Sequence, residues 1–274
     1  MIVDEGYDFP ETIKQKLISY GERMWMFRKQ PHLGTTRAIN SYKGELRGFE
    51  YKTPRLRLTP KDLLATELEK PKILHFICSP SRASEIMSEA KLQSGWDPIT
   101  VYEPIPDRCI PEELPALKKV LPSISILSPN ADEALSLLSS PLPASKDIIE
   151  KAADDFLDIG IGKDGSGWIV IRSGAMGAYV KCKKNKGVWV DAFWEATDVE
   201  KVIDVTGAGN SFLGGFAAGL VLSEDVYQAT LYGTVSASFT IEQEGLPSIS
   251  YLPSGIAIWN GDDPMRRLEV LKQR

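Results

Sequence analysis

From about residue 60 onward the chain alternates short apolar runs with helical stretches, and that alternation limits the folds open to it. Lys72 to Ile77, Ile99 to Tyr102, Ile124 to Leu127 and Trp168 to Ile171 read as strands. Helical signals fall between them, over about Ser81 to Gln93, Ala131 to Leu138 and Asp147 to Leu157. Apolar runs separated by ten or more helical residues predict a mainly parallel sheet covered by helices on both faces, a doubly wound α/β fold. Thr59-Pro60-Lys61-Asp62 has the order of an N-cap, a first-turn proline and an early acidic residue, and predicts a helix through Leu68. Tyr179 to Val190, broken by Lys184-Asn185-Lys186-Gly187, predicts a hairpin at a sheet edge. Later helices are expected over Asp225 to Ile241 and Pro264 to Lys272. Residues 1–58 are less regular, with one helix over about Glu11 to Tyr20 and short strands. No repeat, low-complexity stretch or long linker divides the chain, so one domain over residues 1–274 is expected.

The most informative run for chemistry is Asp204-Val-Thr-Gly-Ala-Gly-Asn-Ser-Phe-Leu-Gly-Gly-Phe216, which follows Val202-Ile203 and opens a small-residue helix ending near Leu222. A Gly/Ala loop feeding a helix presents unpaired backbone N–H groups at the positive end of the helix dipole. That is a cradle for phosphate, or for the charge that develops as a phosphoryl group moves. Gly207, Ala208 and Gly209 lie where those amides are. Gly214-Gly215 and Ala217-Ala218 lie deeper, where small residues equally serve close helix packing.

Composition narrows the field. A net charge of −5 gives no overall attraction to nucleic acid or anionic membranes. The longest apolar-plus-Gly stretch, Phe212 to Leu222, is too short to span a bilayer. Met1 to Gly6 lacks the basic-then-apolar pattern of a leader. Cys78, Cys109 and Cys182 are odd in number and widely spaced, as expected of reduced thiols in a cytoplasmic, soluble protein. Gly160-Ile-Gly-Lys-Asp-Gly165 matches a dinucleotide fingerprint, but a helix precedes it and a strand follows, so it reads as a turn. No GxxxxGK[ST] occurs. His32 and His75 are too isolated to suggest a zinc site or a Ser-His-Asp triad. Lys181, Lys183, Lys184 and Lys186 read as a solvated hairpin tip.

The Asp204–Phe216 run closely resembles the C-terminal signature of the PfkB (ribokinase-like) carbohydrate kinases, D-x-T-G-A-G-D before a helix. Asn130-Ala-Asp-Glu133 resembles that family's N-x-x-E motif, and Ile169 to Ala178 its strand-and-turn nucleotide element, matching at Gly174 and Gly177. Ala237 to Gly245 resembles the segment that closes over adenine. The motifs occur in family order between about residues 70 and 250. The wording around Ser128-Pro129-Asn130 and Trp259-Asn260-Gly261 is most similar to a fungal branch related to the maintenance-of-killer proteins.

The resemblance implies phosphoryl transfer from ATP with Mg²⁺ to a sugar-like hydroxyl, catalysed mainly by positioning and electrostatics. Gly207, Ala208 and Gly209 would form the anion hole. Glu133, with Asn130, would organise Mg²⁺ through water. The alternative for Glu133 is a solvated carboxylate favoured by the dipole at a helix start. Arg172, Ser173, Gly174 and Gly177 would border the nucleotide, with Asp204 and Thr206 shaping the loop. The acceptor is not specified.

Two departures from the family pattern bear on activity. Active members carry aspartate as general base where this chain has Asn210, and a carboxamide cannot take the acceptor proton. Asn210 retains the ability to hydrogen-bond a hydroxyl or to cap a helix. The expectation is therefore an impaired carbohydrate kinase or, alternatively, a catalytically inactive nucleotide-binding or interaction protein. The second departure is at the start: Ile2 to Gly6 resembles a strand downstream of the family's Gly-Gly substrate motif. Residues 1–58 then read as a remnant of the substrate side, and residues 59–274 as the nucleotide-binding core. Arg172, where active members often have threonine, is a smaller deviation.

Overall fold

The computed structural model describes residues 1–43 and 46–274, with side chains described outside 40–49. The chain divides into two compact units, Met1–Asp62 and Leu63–Arg274, close to the change of character near residue 58.

In the first unit, β1 (Ile2–Gly6) and β2 (Met26–Gln30) pair in parallel across α1 (Glu11–Ile18). β3 (Ala38–Lys43) and β4 (Leu46–Tyr51) form an antiparallel pair. Arg28 joins two carboxylates, at 2.8 Å from Asp4 and 2.8 Å from Asp62. The helix expected from Thr59 to Leu68 is only a single 3₁₀ turn, Pro60–Leu63. Asp62 Oδ2 accepts from Thr59 N at 2.8 Å while Oδ1 takes Arg28. Ala65 follows with φ +57°, a left-handed conformation that breaks a helix.

In the second unit the strands are β5 (Ile73–Cys78), β6 (Ile99–Pro104), β7 (Ile126–Leu127), β8 (Trp168–Arg172), β9 (Ala178–Cys182) and β10 (Asn185–Val190). They form one sheet in the order β10-β9-β8-β7-β6-β5. β5 to β8 are parallel, whereas β9 and β10 are antiparallel and make the expected edge hairpin. β7 is shorter than expected because hydroxyls replace ladder bonds: Thr100 N donates to Ser125 Oγ (3.1 Å) and Ser125 N to Thr100 Oγ1 (2.8 Å). The connections are α2 (Pro80–Lys91), α3 (Leu114–Val120), α4 (Ala131–Leu137) and α5 (Lys146–Ile159). Sequence reading misses α3, whose period is obscured by Pro111, Pro115 and Pro122.

Alternation along the strands sorts the core into two layers. Tyr102, Leu127, Ile169 and Ile171 pack with residues of α2 to α5, including Ile86, Leu117, Leu135 and Phe156. Val101, Ile126, Val170 and Val180 face the other way, onto Phe212, Leu213, Phe216 and Ala229. The latter belong to α6 (Ala208–Ser223) and α7 (Val226–Thr240), so both sheet faces are covered, as the sequence pattern predicts. The small residues in α6 have a steric cause. A Cβ at Gly215 would strike Ser236 and the Tyr232 carbonyl, and one at Gly219 would strike the Tyr232 ring. β11 (Ile249–Tyr251) and β12 (Ala257–Trp259) form a small antiparallel pair. α8 (Pro264–Lys272) closes the chain with the predicted bounds. Its Arg267 is buried against Phe239 and paired with Glu242 and Asp262. The three cysteines are free, with Cys109 and Cys182 buried. Among the described residues, no helix is long and apolar enough to cross a membrane.

Candidate functional site

The chemistry-bearing residues converge at the C-terminal ends of β6, β7 and β8, where crevices form in open parallel sheets. The end of β8 lies beside the start of α4: Arg172 N donates to the Pro129 carbonyl at 3.1 Å, and Arg172 bridges Asn130. Asn130 is the N-cap of α4. Its Oδ1 accepts from Glu133 N at 2.8 Å, while Glu133 Oε2 accepts from Asn130 N at 2.7 Å, a complete capping box. Glu133 is only 6% exposed, so it is not the solvated helix-start carboxylate of the alternative reading. Burial pushes its pKa up to about 7, against the opposing pull of the Asn130 N–H and Arg172.

Arg172 organises the centre of the site. Its Nη2 donates to Glu103 Oε1 at 2.6 Å and to the Ser128 carbonyl at 3.1 Å, and stands 3.7 Å from Glu133 Oε2. Glu103 Oε2 lies 3.5 Å from His75 Nε2. Burial opposes ionisation of Glu103, but His75 and Arg172 outweigh it and hold the carboxyl below its ordinary range. Sequence reading missed Glu103 and His75. A signal existed for Glu103: it is a charged residue closing the apolar run Val101-Tyr102 at a strand's C-terminal end. His75 becomes relevant only through the parallel pairing of β5 with β6.

The Gly-rich loop meets this cluster from the other side. Gly207 is the N-cap of α6, at φ +85° in the left-handed region that favours glycine, and no side chain caps the helix. Asn210 is therefore not the cap; it is exposed in the first turn, and among the described residues its carboxamide has no partner. Ala208 N is donated to the Val205 carbonyl (3.1 Å) and Ser211 N to the Gly207 carbonyl (2.9 Å). Among the described residues the amides of Gly207, Gly209 and Asn210 are left without an acceptor, so of the three expected anion-hole positions only Ala208 drops out of the donor set. Asp204 Oδ1 accepts from Thr206 N at 2.9 Å, which holds this exposed carboxylate below its usual range. Ile203 N and Asp204 N both donate to the Ile241 carbonyl, fixing the loop to the end of α7.

Arg172 and the loop touch directly: a Cβ at Gly209 would run into Arg172 Nη1. The turn after β8 is set by glycine at two places. Gly174 (φ +57°) and Gly177 (φ +89°) need left-handed backbone, and a Cβ at Gly177 would strike the Val190 carbonyl. Ser173 N donates to the Gly177 carbonyl at 2.7 Å, and Ser173 is buried.

A Mg²⁺ ion at this place would rest mainly on water and phosphate oxygens, with Glu133 as the nearby carboxylate. Among the described residues, no group of three or more His, Cys, Asp or Glu side chains could hold a metal. Glu133 Oε2 is taken by the Asn130 amide, and the nearest counter-charge to both Glu103 and Glu133 is the Arg172 guanidinium.

A three-layer α/β unit whose glycine-rich helix start faces parallel strand ends belongs to the ribokinase-like class. The profile described as pfkB family carbohydrate kinase matches residues 31–251, and the chain belongs to that family. Protein MAK32 of Saccharomyces cerevisiae is 33% identical over 288 residues, covering 98% of this chain and 77% of that protein. An uncharacterized protein of Schizosaccharomyces pombe is 32% identical over 283 residues, covering 98% of this chain and 78% of its own length. The fungal likeness expected from the motifs is thereby borne out. Arabidopsis thaliana ribokinase, solved with ribose and ATP, superposes with a TM-score of 0.65 at 19% identity, covering 99% of this chain and 81% of that one, a likeness of fold.

Proposed function

We propose that the chain binds the phosphates of ATP at the start of α6 and transfers a phosphoryl group to a sugar-like hydroxyl slowly, as a carbohydrate kinase impaired at Asn210. One observation carries the binding half of this reading: the unpaired amide of Gly209, next to that of Asn210, lies beside a largely enclosed cation, Arg172. In such a site the phosphate charge meets both helix-dipole and guanidinium donors. Phosphoryl transfer relies on alignment more than on a strong base, so loss of the carboxylate reduces turnover without removing the binding site. Asn210 can hold an acceptor hydroxyl by hydrogen bonding, but it cannot accept its proton. The same feature favours a second reading, in which the nucleotide is bound without turnover.

Two measurements on the 274-residue chain test these readings. Saturable binding of Mg·ADP in calorimetry is expected; its absence from a folded chain overturns both. Asn210→Asp is expected to raise steady-state ATP turnover, with a panel of pentoses and hexoses as acceptors, by at least about tenfold. Binding without any gain in the variant leaves the non-catalytic reading.

A further inference from the structure

We propose that Arg172 is a built-in counter-charge for the phosphate groups at the start of α6, so that the site binds a nucleoside diphosphate without a divalent cation. This rests on the phosphate-binding reading above and deepens it.

The guanidinium of Arg172 is held by one arm only. Nη2 is committed to Glu103 Oε1 and the Ser128 carbonyl. Nη1 has no partner among the described residues and faces Gly209. Nε is buried and also unpartnered. A charged side chain only 11% exposed, with donors left over, is an expensive arrangement unless something accepts from it. The nearby acceptors, Glu103 and Glu133, lie on its Nη2 side, and the loop amides of Gly209 and Asn210 are donors like Nη1 itself. Donors from two independent elements thus lie next to each other, none with an acceptor among the described residues, which suits an anion. Arginine matches this role better than lysine would, because its planar fork binds Glu103 with one arm and leaves another for a phosphate oxygen. Gly209 gives the arm room, since any side chain there would displace it. The same guanidinium also stands 2.6 Å from Glu103 and 3.7 Å from Glu133, so a fixed cation already faces both buried carboxylates.

Calorimetry with ADP, in EDTA and separately with Mg²⁺, is the test. The unaltered chain is expected to bind ADP in EDTA with a dissociation constant within about threefold of that with Mg²⁺. Arg172→Thr is expected to weaken binding in EDTA by about tenfold or more and to restore a dependence on Mg²⁺. Should that variant fail to fold, Gly209→Ala, which pushes the same arm aside, is expected to weaken binding in EDTA by about fivefold. Binding of Mg·ADP but not of ADP in EDTA by the unaltered chain overturns this inference and leaves the proposed function standing. An Arg172→Thr or Gly209→Ala chain that binds ADP in EDTA as well as the original also overturns it. Failure to bind in either condition overturns the proposed function and the inference together.

Discussion

The guanidinium of Arg172, at the end of β8, lies against the α-carbon of Gly209 in the first turn of α6, leaving no room for a Cβ. The contact joins the end of β8 to the start of the helix that covers the Val170 face of the sheet. The atom in the way is the tip of a flexible side chain, so the cost of filling the space is modest. Alanine also exceeds glycine as a helix former by about 1 kcal/mol. Gly209→Ala is therefore expected to change stability by less than about 1 kcal/mol in urea unfolding. A loss above about 3 kcal/mol would show that Arg172 cannot move and that the contact is rigid.

Glu103 anchors Arg172. Glu103 is buried, and Glu103→Gln keeps the shape and one acceptor but removes the charge opposite a guanidinium only 11% exposed. A loss of roughly 2–3 kcal/mol is expected by chemical denaturation at neutral pH. A neutral effect would mean that solvent or Glu133 compensates the guanidinium fully.

The two buried carboxyl settings predict opposite pH trends. Glu133 has its pKa raised, to about 7. The folded chain therefore holds a proton that the unfolded chain releases near pH 4, and the contribution present below that pH is lost as pH rises towards about 7. Glu133→Gln is expected to remove a slope worth roughly 1–3 kcal/mol between pH 5 and pH 7.5. Unfolding midpoints of the two chains that run parallel over that range would refute this.

Asp262 goes the other way. Arg266 and then Arg267, outweighing the burial that opposes them, hold its carboxyl well below the ordinary range. Its contribution is present above about pH 4 and is lost as the pH falls further, because protonation breaks the pairing that fixes α8. Asp262→Asn is expected to lower stability by about 1–2 kcal/mol at pH 7 and to flatten the acid limb of the stability curve. An unchanged acid limb would assign that limb to other carboxylates.

Gly215 tests the steric account of the small-residue helix. A Cβ there meets Ser236 Cβ and the Tyr232 carbonyl, neither of which can swing away. Gly215→Val is expected to lower stability by 3 kcal/mol or more, roughly, against a gain of a few tenths from helix propensity. Gly214→Ala, with open space around it, serves as the control and is expected to be neutral or slightly stabilising.

Much of this protein is written in local patterns. Alternating apolar runs and caps placed the parallel strands, and α6, α7 and α8 fall within a residue or two of their sequence-based bounds, because periodicity, Asp225 as a cap and Pro264 at a first turn are short-range signals. The loop Gly207-Ala-Gly209 and the Asn130–Glu133 spacing, which the fold brings to the same sheet end, were visible as candidates for the same reason. Where neighbours distant in sequence compete, the local reading failed: Asp62 turned to Arg28 and Thr59 instead of starting a helix, and α3 was hidden among prolines. Tertiary structure alone decided that Arg172 reaches Gly209, that Glu103 and His75 stand behind it, and that Glu133 is buried beside a cation. Those relationships depend on the register of parallel strands and on which helix covers which face, and no window along the chain contains both partners.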